Sequence, residues 1–107
     1  LYKLLLFLNK TNDEGIINHF EENTLKYLSD LTGGEKIESA DVESNLLLPL
    51  KFSRFCEVSI SSKEEWDMKM NSKEGRELSK HLMDFHQHIT AIFVNYSKTS
   101  QINKKYV

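Results

Sequence analysis

The hydrophobic pattern of this chain switches back and forth between a strand period and a helix period, and the switches divide it into six elements. Leu1-Tyr2-Lys3-Leu4-Leu5-Leu6-Phe7-Leu8 is short, nearly all apolar and bounded by turn formers. A run of that length with no polar side predicts a strand buried on both faces. Ile17, Phe20, Thr24, Tyr27, Leu28 and Leu31 then fall on one face at helical spacing. Thr11 and Glu14 stand at capping-box separation ahead of that helix. Gly33-Gly34 closes it, because glycine accepts the left-handed conformation of a C-cap. Lys36 to Glu43 is a more polar strand, suited to a sheet edge.

The second half repeats the layout. Arg54 to Ile60 alternates, with Cys56, Val58 and Ile60 on one face and Phe55, Glu57 and Ser59 on the other. Ser62 and Glu65 form a second capping box, and Trp66 and Met70 share the inward face of the helix that follows. Asn71 or Ser72 restarts it, and Leu78, His81, Leu82 and Phe85 make an i, i+3, i+4, i+7 stripe. Ile89 to Val94 is again apolar on both faces. The order is β-α-β-β-α-β, the ferredoxin-like arrangement: an α+β fold with helices on one face of a four-stranded antiparallel sheet.

That arrangement leaves two strands apolar on a side no helix covers. The economical cover is the same sheet of a second copy, packed face to face, so a homodimer is expected. Glu57 would lie on that interface and need a partner there. Arg54 faces the other way, which points to a residue of the second subunit or a lysine of the tail. Leu46-Leu47-Leu48-Pro49-Leu50 sits between strands; as a free loop it would expose four leucines, so it is expected to pack on the partner or over a pocket mouth.

At 107 residues, with 28% charged and 39% hydrophobic positions, the chain has the size and make-up of one globular domain, taken as 1–96 with a polar tail at 97–107. The net charge of -2 is spread through interspersed Lys, Glu and Asp, which argues against a nucleic-acid partner. Cys56 is the only cysteine, so neither an intrachain disulfide nor a cysteine-based zinc site is available. No run has the length of a membrane span and none resembles a signal peptide, so no membrane partner and a cytoplasmic location are expected.

From Glu57 to Val94 the residues carry a resemblance. An acidic residue in the third strand, Ser62-Lys63-Glu64-Glu65-Trp66 at a helix start, Ser72-Lys73-Glu74-Gly75 and a Phe before the last strand, here Phe85, resemble the EthD-like branch of the dimeric α+β barrel superfamily. About a third of the chain matches well, and the first half matches in layout. The resemblance implies a homodimer whose two sheets form a barrel, with a pocket between each sheet and its helices. Many EthD-like chains carry a Trp and then a His one turn later in the first helix; here Phe20 and Thr24 stand in their places. Related barrels degrade haem with an Asn, a Trp and a His. Asn9, Trp66 and His81 supply those types without the fitting positions, so no cofactor is expected.

His81 is the candidate catalytic residue. It lies on the apolar stripe between Leu78 and Phe85 and should point into the sheet–helix pocket, where an imidazole exchanges protons near neutral pH. The plainer alternative is a half-buried histidine satisfied by a backbone or water contact. Phe20, Trp66, Met70 and Phe85 are the candidate substrate-binding residues, with core packing as the competing role of Trp66 and Met70. His81, His86 and His88 lack a well-placed acid to complete a ligand set, so no metal is expected. Two readings follow: a cofactor-independent oxygenase or isomerase acting on a small hydrophobic or aromatic metabolite, or a non-catalytic small-molecule-binding or structural homodimer.

Overall fold

The computed structural model describes residues 2–33 and 37–96; the polar tail lies outside them. Along the chain come β1 (Tyr2–Asn9), α1 (Glu14–His19), a wide helical turn (Phe20–Thr24), α2 (Leu25–Thr32), β2 (Glu38–Asp41), β3 (Phe52–Ile60), α3 (Lys63–Met70), α4 (Lys73–Asp84), a short 3-10 turn (His86–His88) and β4 (Ile89–Asn95). The first helix, its wide turn and α2 form one rod. With α3 and α4 it makes three helices beside a four-stranded antiparallel sheet of order β2-β3-β1-β4. The expected ferredoxin-like α+β order is therefore the observed one.

Strand alternation divides the sheet into two faces. Leu4, Leu6 and Leu8 of β1 and Cys56, Val58 and Ile60 of β3 are buried beneath the helices, where Phe20, Leu28, Leu31, Leu78 and Phe85 meet them. Full burial of each leucine is worth about 1.5–3 kcal/mol, so this layer dominates the stability of the protomer. Leu5, Phe7, Phe55 and Glu57 lie on the opposite, helix-free face and stay half-buried. There the Phe7 ring lies 4.6 Å from Phe52 and 4.9 Å from Phe55.

A register shift opposite Leu8 and Asn9 explains how Phe52 joins that group. Residues two apart normally share a face, yet Arg54 reaches Glu21 on the helix side at 2.9 Å while Phe52 packs on Phe7. The extra residue, Ser53, absorbs the flip as a β-bulge does, and its hydroxyl accepts from the backbone N–H of Thr11 at 3.1 Å. Glu57 finds its counter-ion within its own chain: Lys3 Nζ on the neighbouring strand is 3.2 Å away. Neither a second subunit nor a tail lysine is needed, because a diagonal cross-strand neighbour is already in reach.

Helix ends follow the sequence signals with one correction. Ser62 and Ser72 cap α3 and α4 by accepting from the N–H groups of Glu65 and Gly75, each at 3.1 Å. Gly33 takes the left-handed C-cap, φ 71°, and donates to the carbonyl of Ser29. The first helix, however, starts later than a Thr11–Glu14 box would have it. Asp13 is the N-cap, accepting from Gly15 and Ile16 at 2.9 and 3.3 Å, while the Thr11 hydroxyl accepts from the N–H of Asp13. A carboxylate at Asp13 caps the N–H groups of Gly15 and Ile16 and adds a charge that complements the helix dipole.

The leucine segment behaves unexpectedly within the single chain. Leu46, Leu47 and Leu48 are 94%, 92% and 61% exposed, so the segment covers no pocket of its own protomer.

Between α3 and α4 the chain folds back so tightly that a side chain has no room at Gly75. A Cβ there would overlap the carbonyl oxygen of Lys69 and the backbone of Met70. The Ser-Lys-Glu-Gly run thus has a steric reason: Ser72 caps the new helix and Gly75 lets it cross the end of the old one. Gly75→Ala should destabilise the protein by about 2–3 kcal/mol, since the overlap is with backbone and cannot be relieved by a rotamer change. Chemical denaturation of the two proteins checks this; equal midpoints would show that the junction yields.

Candidate functional site

Where the rod of the first helix crosses α4, the wide turn changes what the helix presents. The N–H of Leu25 bonds the carbonyl of Phe20, five residues back instead of four. Phe20, Thr24 and Leu28 are spaced by four, and in a regular helix such a row drifts by about 80° over eight residues. The wider turn absorbs the drift, so all three are buried, at 1%, 0% and 0% exposure. Thr24 is thereby held facing α4, and its Oγ1 lies 2.7 Å from Nε2 of His81. Turns of this kind recur at functional sites.

His81 is 8% exposed and ringed by aromatic groups. Its imidazole centroid lies 5.1 Å from that of His19, 5.0 Å from Tyr27 and 5.5 Å, stacked, from Phe85. Asn23 Nδ2 lies 2.7 Å from His19 Nδ1, which orients that second imidazole. Burial lowers the pKa of His81 below its ordinary value; the nearby His19 lowers it further and Asp84 opposes both. The outcome is an imidazole that is neutral at pH 7, able to accept a proton.

Above this ring lies a cleft of about 380 Å3 lined by His19, Tyr27, Glu77, Lys80, His81 and Asp84. It sits between the helices and opens outward, whereas the sequence pointed to a pocket between helices and sheet. Toward the sheet, the leucine and phenylalanine core fills the centre of the helix–sheet layer, and hollows lined by both helix and strand residues remain at its margins.

The other sequence candidates are dispersed. Phe85 is with His81, and its ring also contacts His19 at 4.6 Å and His88 at 5.0 Å. Phe20 is a core residue that lines a separate hollow of about 460 Å3 near the β2 edge, alongside Arg54, Glu21 and Asp41. Trp66 sits edge-on to Phe93 at 5.3 Å and borders a third hollow of about 260 Å3. Met70 packs against the core. His81, His86 and His88 do not converge: His86 Nδ1 donates to the carbonyl of Met83 at 2.8 Å, and among the described residues no three His, Cys, Asp or Glu side chains form a metal-holding group. Cys56 is fully buried, and burial pushes its thiol up to about 12, so it is no nucleophile.

Sequence reasoning missed His19, Glu77, Lys80 and Asp84 as neighbours of His81. Glu77, Lys80 and Asp84 follow from helical spacing, being four, one and three residues away on the same helix. His19 had no such signal, because only the crossing of two helices brings it there.

No family model and no curated protein matches the chain. Solved structures do, and they show its fold, a ferredoxin-like α+β domain. An ethyl tert-butyl ether D (EthD) family protein from Bacillus halodurans superposes with a TM-score of 0.74 at 18% identity, over 88% of this chain and 96% of that one. A protein from Arabidopsis thaliana gives 0.62 at 16% identity over 94% and 97%. An EthD-like protein from Ralstonia eutropha gives 0.57 at 13% identity over 94% and 95%. The resemblance carried by Glu57 to Val94 thus extends in three dimensions across almost the whole chain. At these identities it is a likeness of fold. Among the described residues no helix is long and apolar enough to cross a membrane.

Because His81 is held neutral, the folded protein binds fewer protons than the unfolded chain between its lowered pKa and the ordinary histidine value of about 6.5. Stability should be full above that value and fall as pH drops below it, until His81 protonates in the folded state. His81→Gln keeps a hydrogen-bonding group beside Thr24 but cannot titrate. Melting temperatures between pH 7.5 and 5 should fall more steeply in the parent than in this variant; parallel curves would show that His81 is not the group responsible.

Proposed function

We propose that the protein is an EthD-like homodimer that binds a small aromatic or hydrophobic molecule in the cleft between its helices, with His81 as the proton acceptor. The observation that carries this is a neutral imidazole bonded to a buried threonine on the floor of a ring-walled opening. Aromatic walls favour a flat ligand through offset or edge contacts, and one polar group on the floor is enough to orient it. A neutral imidazole takes a proton from an acidic C–H or O–H and returns it elsewhere, the step a cofactor-independent isomerase or oxygenase needs. The resemblance implies a first-helix histidine where Thr24 stands. In this chain α4 brings an imidazole to within 2.7 Å of the Thr24 hydroxyl.

The homodimer reading rests on the helix-free sheet face, where Leu5, Phe7, Phe52, Phe55 and Ile92 form an apolar surface that no helix or strand among the described residues covers. A second reading, a non-catalytic dimer, is favoured by the packing of Phe20 and Phe85 into the core between sheet and helices.

A thermal-shift screen with hydroxylated aromatics, aromatic acids and quinones supplies the ligand, and titration calorimetry then compares the parent with His81→Ala. Loss of the polar group on the cleft floor should weaken binding about five- to a hundredfold, the equivalent of about 1–3 kcal/mol, with the dimer intact. A ligand that binds both proteins equally, or a screen with no ligand at all, would favour the non-catalytic dimer.

A further inference from the structure

The rim of the His81 cleft carries charges that the fold leaves unpaired. Glu77, Lys80 and Asp84 line the opening, and among the described residues none of them is in an ion pair. Two carboxylates against one ammonium give the rim an excess of negative charge. Glu77, His81 and Asp84 are spaced by four and then three, so the acids flank the imidazole along one helix face. Asp84 stands where a helix resists an anion. It is the last residue of α4, at the negative end of the dipole, and the terminal carbonyls add partial negative charge of their own.

The floor has a free polar atom. His81 is more than nine-tenths buried, and its Nε2 is engaged by Thr24, yet among the described residues no hydrogen bond reaches its Nδ1. No buried side-chain nitrogen there lacks a partner, so Nδ1 is the atom that opens into the cleft. In the reading above His81 accepts a proton, so Nδ1 bears the lone pair and the group that docks against it is a donor. Charge narrows the choice further. An anion beside an imidazole favours the imidazolium, which accepts nothing, whereas a cation keeps the ring neutral. Asp84 already pulls in the first direction, and a positive charge seated beside it cancels that pull. The Tyr27 ring, 5.0 Å from that of His81, attracts a cation through its π face.

We propose that the cleft selects a cationic ligand, an aromatic or hydrophobic body carrying a protonated amine, with its ammonium beside Nδ1 of His81 and flanked by Glu77 and Asp84. The proposal rests on the ligand-binding reading above and adds the ligand's charge. Lys80 opposes the cation and sets how strong the preference becomes.

Three probes that share one ring and differ in charge test it: tyramine, the alcohol 2-(4-hydroxyphenyl)ethanol and the acid 4-hydroxyphenylacetate. Titration calorimetry at neutral pH gives the affinities, and the imidazole NMR signals of His19 and His81 locate the bound probe. Exposed charges contribute little each, so the amine should bind about tenfold tighter than the acid, with the alcohol between. Glu77→Gln with Asp84→Asn should collapse that ratio towards one, and Lys80→Gln should widen it; all three residues are exposed, so the fold is kept. Probes that shift the imidazole signals but show no preference for the amine, or a preference for the acid, would overturn this proposal and leave the ligand-binding reading standing. So would a preference that survives the double variant. Amine binding without imidazole shifts would place it elsewhere, as in the hollow beside Glu21 and Asp41, and overturn the proposal too. If none of the three binds at millimolar concentration, both fall.

Discussion

β1 sets the terms for the rest of the molecule. It is central, paired with β3 on one side and β4 on the other, and its residues are apolar in both directions. Only one direction is satisfied within the protomer: Leu4, Leu6 and Leu8 are sealed under the helices, while Leu5 and Phe7 look out over a face that no helix reaches. The Lys3–Glu57 pair on that face does not offset this, because both side chains are 27% exposed and a pair of that kind contributes only about 0–1 kcal/mol. Apolar area therefore governs how the face behaves. The aromatic group Phe7, Phe52 and Phe55 and the depression beside it belong to that same unsatisfied side.

The helix side has its own dependency, on a single wide turn. The wide turn sets the angle at which Thr24 meets α4, and without that contact the buried ring nitrogen of His81 would lack the partner it has here. Leaving such a group unpaired in a buried site costs about 1–3 kcal/mol. The contact between Thr24 and His81 satisfies both side chains at once, and among the described residues no buried side-chain nitrogen or oxygen is left without a partner. The arrangement that makes His81 a comfortable core residue also keeps it neutral beneath an open cleft.

Much of this was legible in the residue order. The strand and helix periods determined the six elements and their sequence, and Ser62, Ser72 and Gly33 marked helix ends where the backbone needs them. The stripe Leu78, His81, Leu82 and Phe85 was correctly read as inward, since helical spacing is a local property. What the sequence could not determine depends on distance between elements. The bulge at Ser53, the wide turn at Phe20–Thr24 and the position of His19 beside His81 are each settled by how one element lies against another. The cleft beside His81 lies between helices for the same reason. Periodicity tells which face of a helix is buried, but two neighbours share that face, the sheet below and the adjacent helix beside it. Only the packed structure decided that Phe20 meets the sheet while His81 meets the other helix.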